Sequence, residues 1–219
     1  MKYINKRAVV RPILGQFDRN RSYHQAVVIP ALAEADYLPL TIQSLHNNVP
    51  KGILEETLVL VVVNNRPMDS STAANHVELK EQIEDNALTL NWLESQSWGL
   101  PCTLAWVDAS SPGNELPPWG GVGLARKIGC DSVLTFLLGL DKPINLRDFI
   151  FFSLDADTLV SPDYIENAGH ELLRSCRAGG TILFKHQQAD SPENQAAIDA
   201  YEAFLNYYVG GLCWAGSPY

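Results

Sequence analysis

The sequence predicts an α/β protein with a mostly parallel central sheet and helices on both faces. Three observations carry this. Leu58-Val-Leu-Val-Val-Val63 is an unbroken apolar, largely β-branched run, which suits a strand buried on both faces. Short apolar runs alternate with helical patterns along the chain. Phe149-Ile-Phe-Phe152 leads directly into Asp155 and Asp157, so an apolar strand ends on charged residues.

In chain order, Ala26-Val-Val-Ile29 reads as the first strand, stopped by Pro30. Residues 36–48 place Leu38, Ile42 and Leu45 on one helical face. Leu58–Val63 is the second strand, and residues 76–86 form a polar helix. Thr103–Val107 is a third strand. Residues 110–121 are dense in Ser, Pro and Gly and read as a loop. A helix follows from about Val122 to Leu140, then a strand over Asp148–Leu154. Ser161-Pro162 opens a helix over 162–177. Gly180–Phe184 reads as a further strand. Residues 193–209 form a helix with an aromatic stripe of Tyr201, Phe204 and Tyr208. In such sheets a ligand sits beyond the carboxyl ends of the strands, so the residues after Ile29, Val63 and Leu154 should converge.

Composition narrows the function. The 219 residues carry 16 Lys+Arg against 25 Asp+Glu, a formal net charge of −9. That balance disfavours a general nucleic-acid binder and a polybasic membrane anchor. Hydrophobic residues at 46% and charged residues at 19% fit a folded chain. At this size a chain buries roughly 70% of its unfolded surface, so no disulfide or metal staple is needed. Cys102, Cys130, Cys176 and Cys213 contain no CxxC and read as reduced, mostly buried thiols. No signal-peptide core and no apolar run near the roughly 18 residues of a membrane span are present. The expectation is one cytoplasmic domain, 1–219, without a transmembrane segment.

Asp155-Ala-Asp157 is the sharpest chemical signal. A turn at the strand end can bring both carboxylates to one ligand. Neighbouring carboxylates repel unless a cation lies between them or one is protonated. Hard oxygen donors suit Mg²⁺ or Mn²⁺, and Mg²⁺ typically takes one or two carboxylates plus substrate phosphates. The pair therefore reads as a metal bridge to a diphosphate; the alternative is a solvated turn capped by Asp157.

Four motifs in order, over residues 26 to about 165, resemble the family 2 glycosyltransferases and their GT-A fold. Val27-Val-Ile-Pro-Ala-Leu-Ala-Glu34 and Ser44-Leu45 resemble that family's first strand and helix. Val62-Val-Asn-Asn65 stands where the family often has V-V-D-D. Ala125-Arg126-Lys-Ile-Gly129 resembles its A-R-N-x-G, and Asp155-Ala156-Asp157 its D-x-D. The resemblance implies a nucleoside-diphosphate sugar donor, a divalent metal (Mn or Mg), and an unknown glycan, lipid or small-molecule acceptor. It implies that Pro30, Ala31 and Glu34 line the nucleoside pocket, that Asn65 faces the base, and that Arg126, with Lys127 as a weaker candidate, meets the diphosphate. Asp157 would bind metal directly; Asp155 would do so through water, or hold the ribose. Asn65 departs from the family's acid: an amide offers both donor and acceptor, which leaves base preference open.

An inverting transferase also needs a carboxylate base, which the family places after D-x-D in an acidic pair such as E-D. None of Asp163, Glu166, Glu171, Asp190, Glu193, Asp199 and Glu202 sits in such a pair. The catalytic base is therefore unlocated: either the chain is a fragment lacking the acceptor half, the favoured reading, or it departs from the family. The rival readings are a silent nucleotide- or carbohydrate-binding module, a haloacid dehalogenase-type phosphatase whose D-x-D-x-T has its threonine one position later, and a pyrophosphorylase, which would need a glycine-rich loop after the first strand. Gly121-Val-Gly123 follows a loop and not a strand, so it lacks dinucleotide context. The five histidines share no ligand spacing. Trp119 suits stacking on a sugar or base, or loop packing.

Overall fold

The computed structural model describes residues 2–15, 17–68, 76–96, 101–140, 144–175, 177–189 and 191–216. The chain divides into two compact units, residues 1–178 and 179–219. The first contains α1 (Lys2–Arg7), β1 (Leu14–Gly15), β2 (Gln25–Ala31), α2 (Leu38–His46), α3 (Lys51–Glu55), β3 (Thr57–Asn64), α4 (His76–Ser95), β4 (Thr103–Ala109), α5 (Val122–Leu138), β5 (Ile150–Ser153) and α6 (Tyr164–Ser175).

The sheet runs β1-β4-β3-β2-β5. β2, β3, β4 and β5 are mutually parallel, with Val28 opposite Leu60 and Ser153. β1 adds a two-residue antiparallel edge against Trp106 and Ala105. Every residue of β2 and β3 is buried, as the apolar run at 58–63 predicts. Side chains alternate across the sheet. Val27, Ile29, Val59 and Val61 pack on one face with Leu38, Ile42, Leu93 and Ile165, from α2, α4 and α6. Ala26, Val28, Leu60 and Val62 pack on the other with Ala125, Ile128 and Val133 of α5. The expected α/β architecture, with helices on both faces, is present; the layering is Rossmann-like.

Three local expectations change. Pro30 does not stop its strand but lies within β2. Even-numbered residues of β2 face β5, where Leu154 N donates to Val28 O at 3.1 Å. The β2–β5 ladder ends at Val28, so proline's missing donor falls where no partner strand remains. Helix α4 runs to Ser95, well past residue 86, with Leu79 and Leu93 buried. Residues 180–184 form no strand, and Leu183 is 99% exposed. An apolar run without a ladder partner has no way to satisfy a strand's backbone. The second unit also carries α7 (Pro192–Trp214), capped by the Ser191 side chain accepting from Asn194 N. Its aromatic stripe is present, with Phe204 stacked on Tyr208 at 6.4 Å.

Gly129 sets the distance between α5 and the sheet. A Cβ there would sit 2.4 Å from Val28 Cγ1 and 3.1 Å from Val62 Cγ2. Both neighbours are β-branched and sit on the central strands, so they cannot swing away. Alanine gains roughly 1 kcal/mol of helix propensity but overpacks a rigid contact costing about 1–3 kcal/mol. G129A is therefore expected to lower the melting temperature by a few degrees, measured by circular dichroism.

Among the described residues no helix is long and apolar enough to cross a membrane. Cys102 is buried, and burial pushes its thiol up to about 11. Cys130 and Cys213 are free as well, whereas Cys176 lies outside the described residues.

Candidate functional site

In the order β4-β3-β2-β5, the chain adds strands on one side of β2 and then returns to the other. The crevice beyond the carboxyl ends of β2 and β5 is thus a topological switch point, the place where open α/β sheets hold ligands. A cleft of about 620 Å³ opens there. Pro30, Glu34, Asn65, Arg126, Asp155, Ala156 and Asp157 all line it. Ala31 does not: it is fully buried in the core, where its carbonyl accepts from Asn64 Nδ2 at 2.9 Å. Lys127 does not either, for its ammonium donates to Asp131 Oδ2 at 2.6 Å and to Tyr3 Oη at 2.8 Å.

The acidic pair is placed by the end of β5. Phe152, Leu154 and Ala156 are buried while Ser153, Asp155 and Asp157 are exposed. The two aspartates are thus both exposed where the chain turns after β5. Thr158 N closes a turn onto Asp155 O at 3.2 Å. Thr41 Oγ1 donates to the Ala156 carbonyl at 2.6 Å and ties that turn to α2. Asp155 forms an ion pair with Arg126, which sits in the second turn of α5.

Glu34 lies on the loop after β2, just ahead of α2. That loop is fastened to α4: Asn86 Oδ1 accepts from Ala33 N at 3.0 Å, and Asp85 Oδ1 from Ala35 N at 2.9 Å. Ala33 is held in the left-handed region with φ 57°. The Glu34 carboxyl is raised to about 7, first by burial, then by the charges of Asp157, Asp85 and Asp155. It keeps its proton to near neutrality, while the unfolded chain releases it near 4.5. Ionisation therefore favours unfolding, and this group makes stability fall as pH rises from about 4.5 to 7. In chelator-treated protein, E34Q should flatten the dependence of melting temperature on pH over that window.

Asn65 is 2% exposed and its amide is committed to the scaffold. Its Oδ1 accepts from Asn86 Nδ2 at 2.9 Å and its Nδ2 donates to the Arg66 carbonyl at 3.0 Å. Asparagine at this position thus has a structural cause. A carboxylate could not donate to Arg66 O and would be a buried charge.

Arg66, Leu32, Glu78, Gln82 and Leu116 also line the cleft and were not anticipated. Arg66 directly follows the strand-end pair Asn64-Asn65, and that position was the available signal. The 110–121 loop forms a wall through Leu116, Gly120 and Gly121. It is held by Leu116 N donating to Asn65 O at 2.9 Å and by Arg11 donating to the Glu115 carbonyl at 3.1 Å. Trp119, 77% exposed, sits on this loop beside Gly120. Among the described residues no three His, Cys, Asp or Glu side chains are grouped to hold a metal by themselves.

Fold and cleft together describe an α/β protein with a polar, carboxylate-rich cleft at its switch point. No protein-family model matches the chain, and no curated protein matches it. Among solved structures it is similar to the crystal structure of S. aureus TarS 1-349 at 12% identity and a TM-score of 0.34. The alignment covers 77% of this chain and 43% of that one, so the chain spans less than half the length of that structure. A likeness at that score carries no weight for function.

Proposed function

We propose that the 1–178 unit is the donor-binding domain of a glycosyltransferase of the GT-A type, taking a nucleoside-diphosphate sugar together with Mn²⁺ or Mg²⁺ and serving an acceptor not yet known. The observation that carries this is convergence. Glu34, Arg126, Asp155 and Asp157 come from three separate segments and meet in one cleft at the switch point.

The donor set suits a hard cation. Glu34 is raised first by burial and then by the neighbouring charges of Asp157, Asp85 and Asp155, and a divalent ion would offset that crowding of carboxylates. All the crowding groups offer oxygen. Mg²⁺ typically takes one or two carboxylates together with substrate phosphates and water, and Asp157 and Asp155 can supply the carboxylates. Asp157 would hold it, and Asp155, occupied by Arg126, would stand further off. When bound, such a cation offsets the charge that grows on the departing diphosphate. In the transfer itself, the acceptor oxygen bonds to the anomeric carbon, the bond from that carbon to the diphosphate oxygen breaks, and the acceptor proton leaves to a base. No residue of this chain is assigned that last role.

The test is thermal melting with UDP, GDP, ADP and CDP, each with and without Mn²⁺, and then turnover assays. A ligand at a hundredfold excess over its dissociation constant stabilises by about 2.7 kcal/mol. Stabilisation by one diphosphate only when Mn²⁺ is present supports the reading. Hydrolysis of simple phosphate esters with no nucleotide effect would point to a phosphatase. Stabilisation by a free sugar alone would point to a binding module.

A further inference from the structure

We infer that Arg66 is the anion anchor of the cleft, the residue that grips the diphosphate of its ligand; this rests on the donor-binding reading above. Two arginines line the cleft, Arg66 and Arg126, in a chain of net charge −9. They are not equivalent. Arg126 is committed to Asp155. Among the described residues Arg66 takes part in no ion pair.

The Arg66 guanidinium is nonetheless held in place. Its Nε donates to the Gly120 carbonyl at 2.8 Å. Its Nη2 lies 3.8 Å from where a Cβ on Gly121 would stand, so the terminal nitrogens run along the cleft wall beside that glycine. The backbone of Arg66 is fixed too, because its carbonyl accepts from Asn65 Nδ2. A guanidinium anchored through Nε and presenting its remaining N–H groups matches the planar, bidentate recognition of phosphate. The cleft lining thus holds both signs: the carboxylates of Glu34, Glu78, Asp155 and Asp157, and Arg66, which among the described residues forms no ion pair with any of them. An anion carrying a bound cation, such as a metal–diphosphate, offers a partner to both.

The experiment measures binding of Mn²⁺–pyrophosphate, of the best nucleoside diphosphate from the melting panel, and of its parent nucleoside, to the wild type, R66Q and R66K. R66Q is expected to lose about tenfold or more in affinity for both phosphate ligands, while nucleoside affinity stays the same. R66K, which keeps charge but not the fork, is expected to fall in between. Equal loss for nucleoside and diphosphate would overturn the inference, since it means Arg66 only shapes the wall through Gly120. So would undiminished pyrophosphate binding by R66Q. If R66Q does not fold, R66K carries the test: several-fold weaker pyrophosphate binding with unchanged nucleoside binding supports the anchor, and unchanged pyrophosphate binding overturns it. If the wild type binds no diphosphate at all, the donor-binding reading itself falls, and the anchor with it.

Discussion

Asp157→Ala is expected to abolish the Mn²⁺-dependent stabilisation by a nucleoside diphosphate, weakening the metal–nucleotide complex by about thirtyfold or more. The reasoning is electrostatic. Asp157 lines the cleft and is the strongest of the charges acting on Glu34. It is exposed at a strand end, so its loss leaves the core intact. A second readout separates this from unfolding. With Asp157 gone, Glu34 loses a repelling neighbour, and its titration should move down toward the ordinary carboxylate range. Side-chain carboxyl NMR shifts recorded over pH measure this directly. D157A with wild-type metal-dependent binding would place the cation elsewhere.

Asn86→Ala is expected to cause the largest loss of stability among single changes around the cleft, about 2–4 kcal/mol. Asn86 is 1% exposed and serves three groups. Its Oδ1 accepts from Ala33 N, and its Nδ2 donates to Asn64 O at 3.1 Å and to Asn65 Oδ1 at 2.9 Å. Truncation strips a partner from two buried groups and from the part-buried Ala33 N, at about 1–3 kcal/mol for each buried one before relaxation or water entry. For a unit of this size the melting temperature should fall by about 5–15 °C. The same change loosens the Glu34 loop, because Ala33 N is one of its two tethers to α4, the other being Ala35 N on Asp85. Donor binding should therefore weaken as well. Chemical denaturation with an unchanged m-value would show that stability, and not the unfolded state, was altered.

The sequence made the sheet legible because β3 is apolar throughout and both its faces are covered. Leu58–Val63 could be nothing but a central strand, and the alternation of elements then placed α2 and α5 on opposite faces. The cleft came from topology, since strand ends in a parallel sheet converge. Asp155–Asp157 is foreseeable on that ground, whereas Glu34 and Arg126 follow from the resemblance of their motifs, Arg126 lying within α5 and not at a strand end. The misses share a cause: they depend on partners distant in sequence. Pro30 stays in its strand only because the β2–β5 ladder ends at Val28. Asn65 lines the cleft, but its amide is held by Asn86, 21 residues later. Ala31 is core because β2 is flanked on both sides. Arg66 gave no periodic signal, and its importance appears only once Gly120 is seen to hold its Nε. The run at 180–184 had strand composition but no neighbour to pair with.

The most direct measurement is a crystal structure of the chain with Mn²⁺ and the preferred nucleoside diphosphate, read with the anomalous signal of manganese. The expected result is a manganese peak in contact with an Asp157 carboxylate oxygen and with the diphosphate, in the crevice at the ends of β2 and β5. A diphosphate bound away from that crevice, or a manganese ion with no contact to Asp155 or Asp157, would contradict the account.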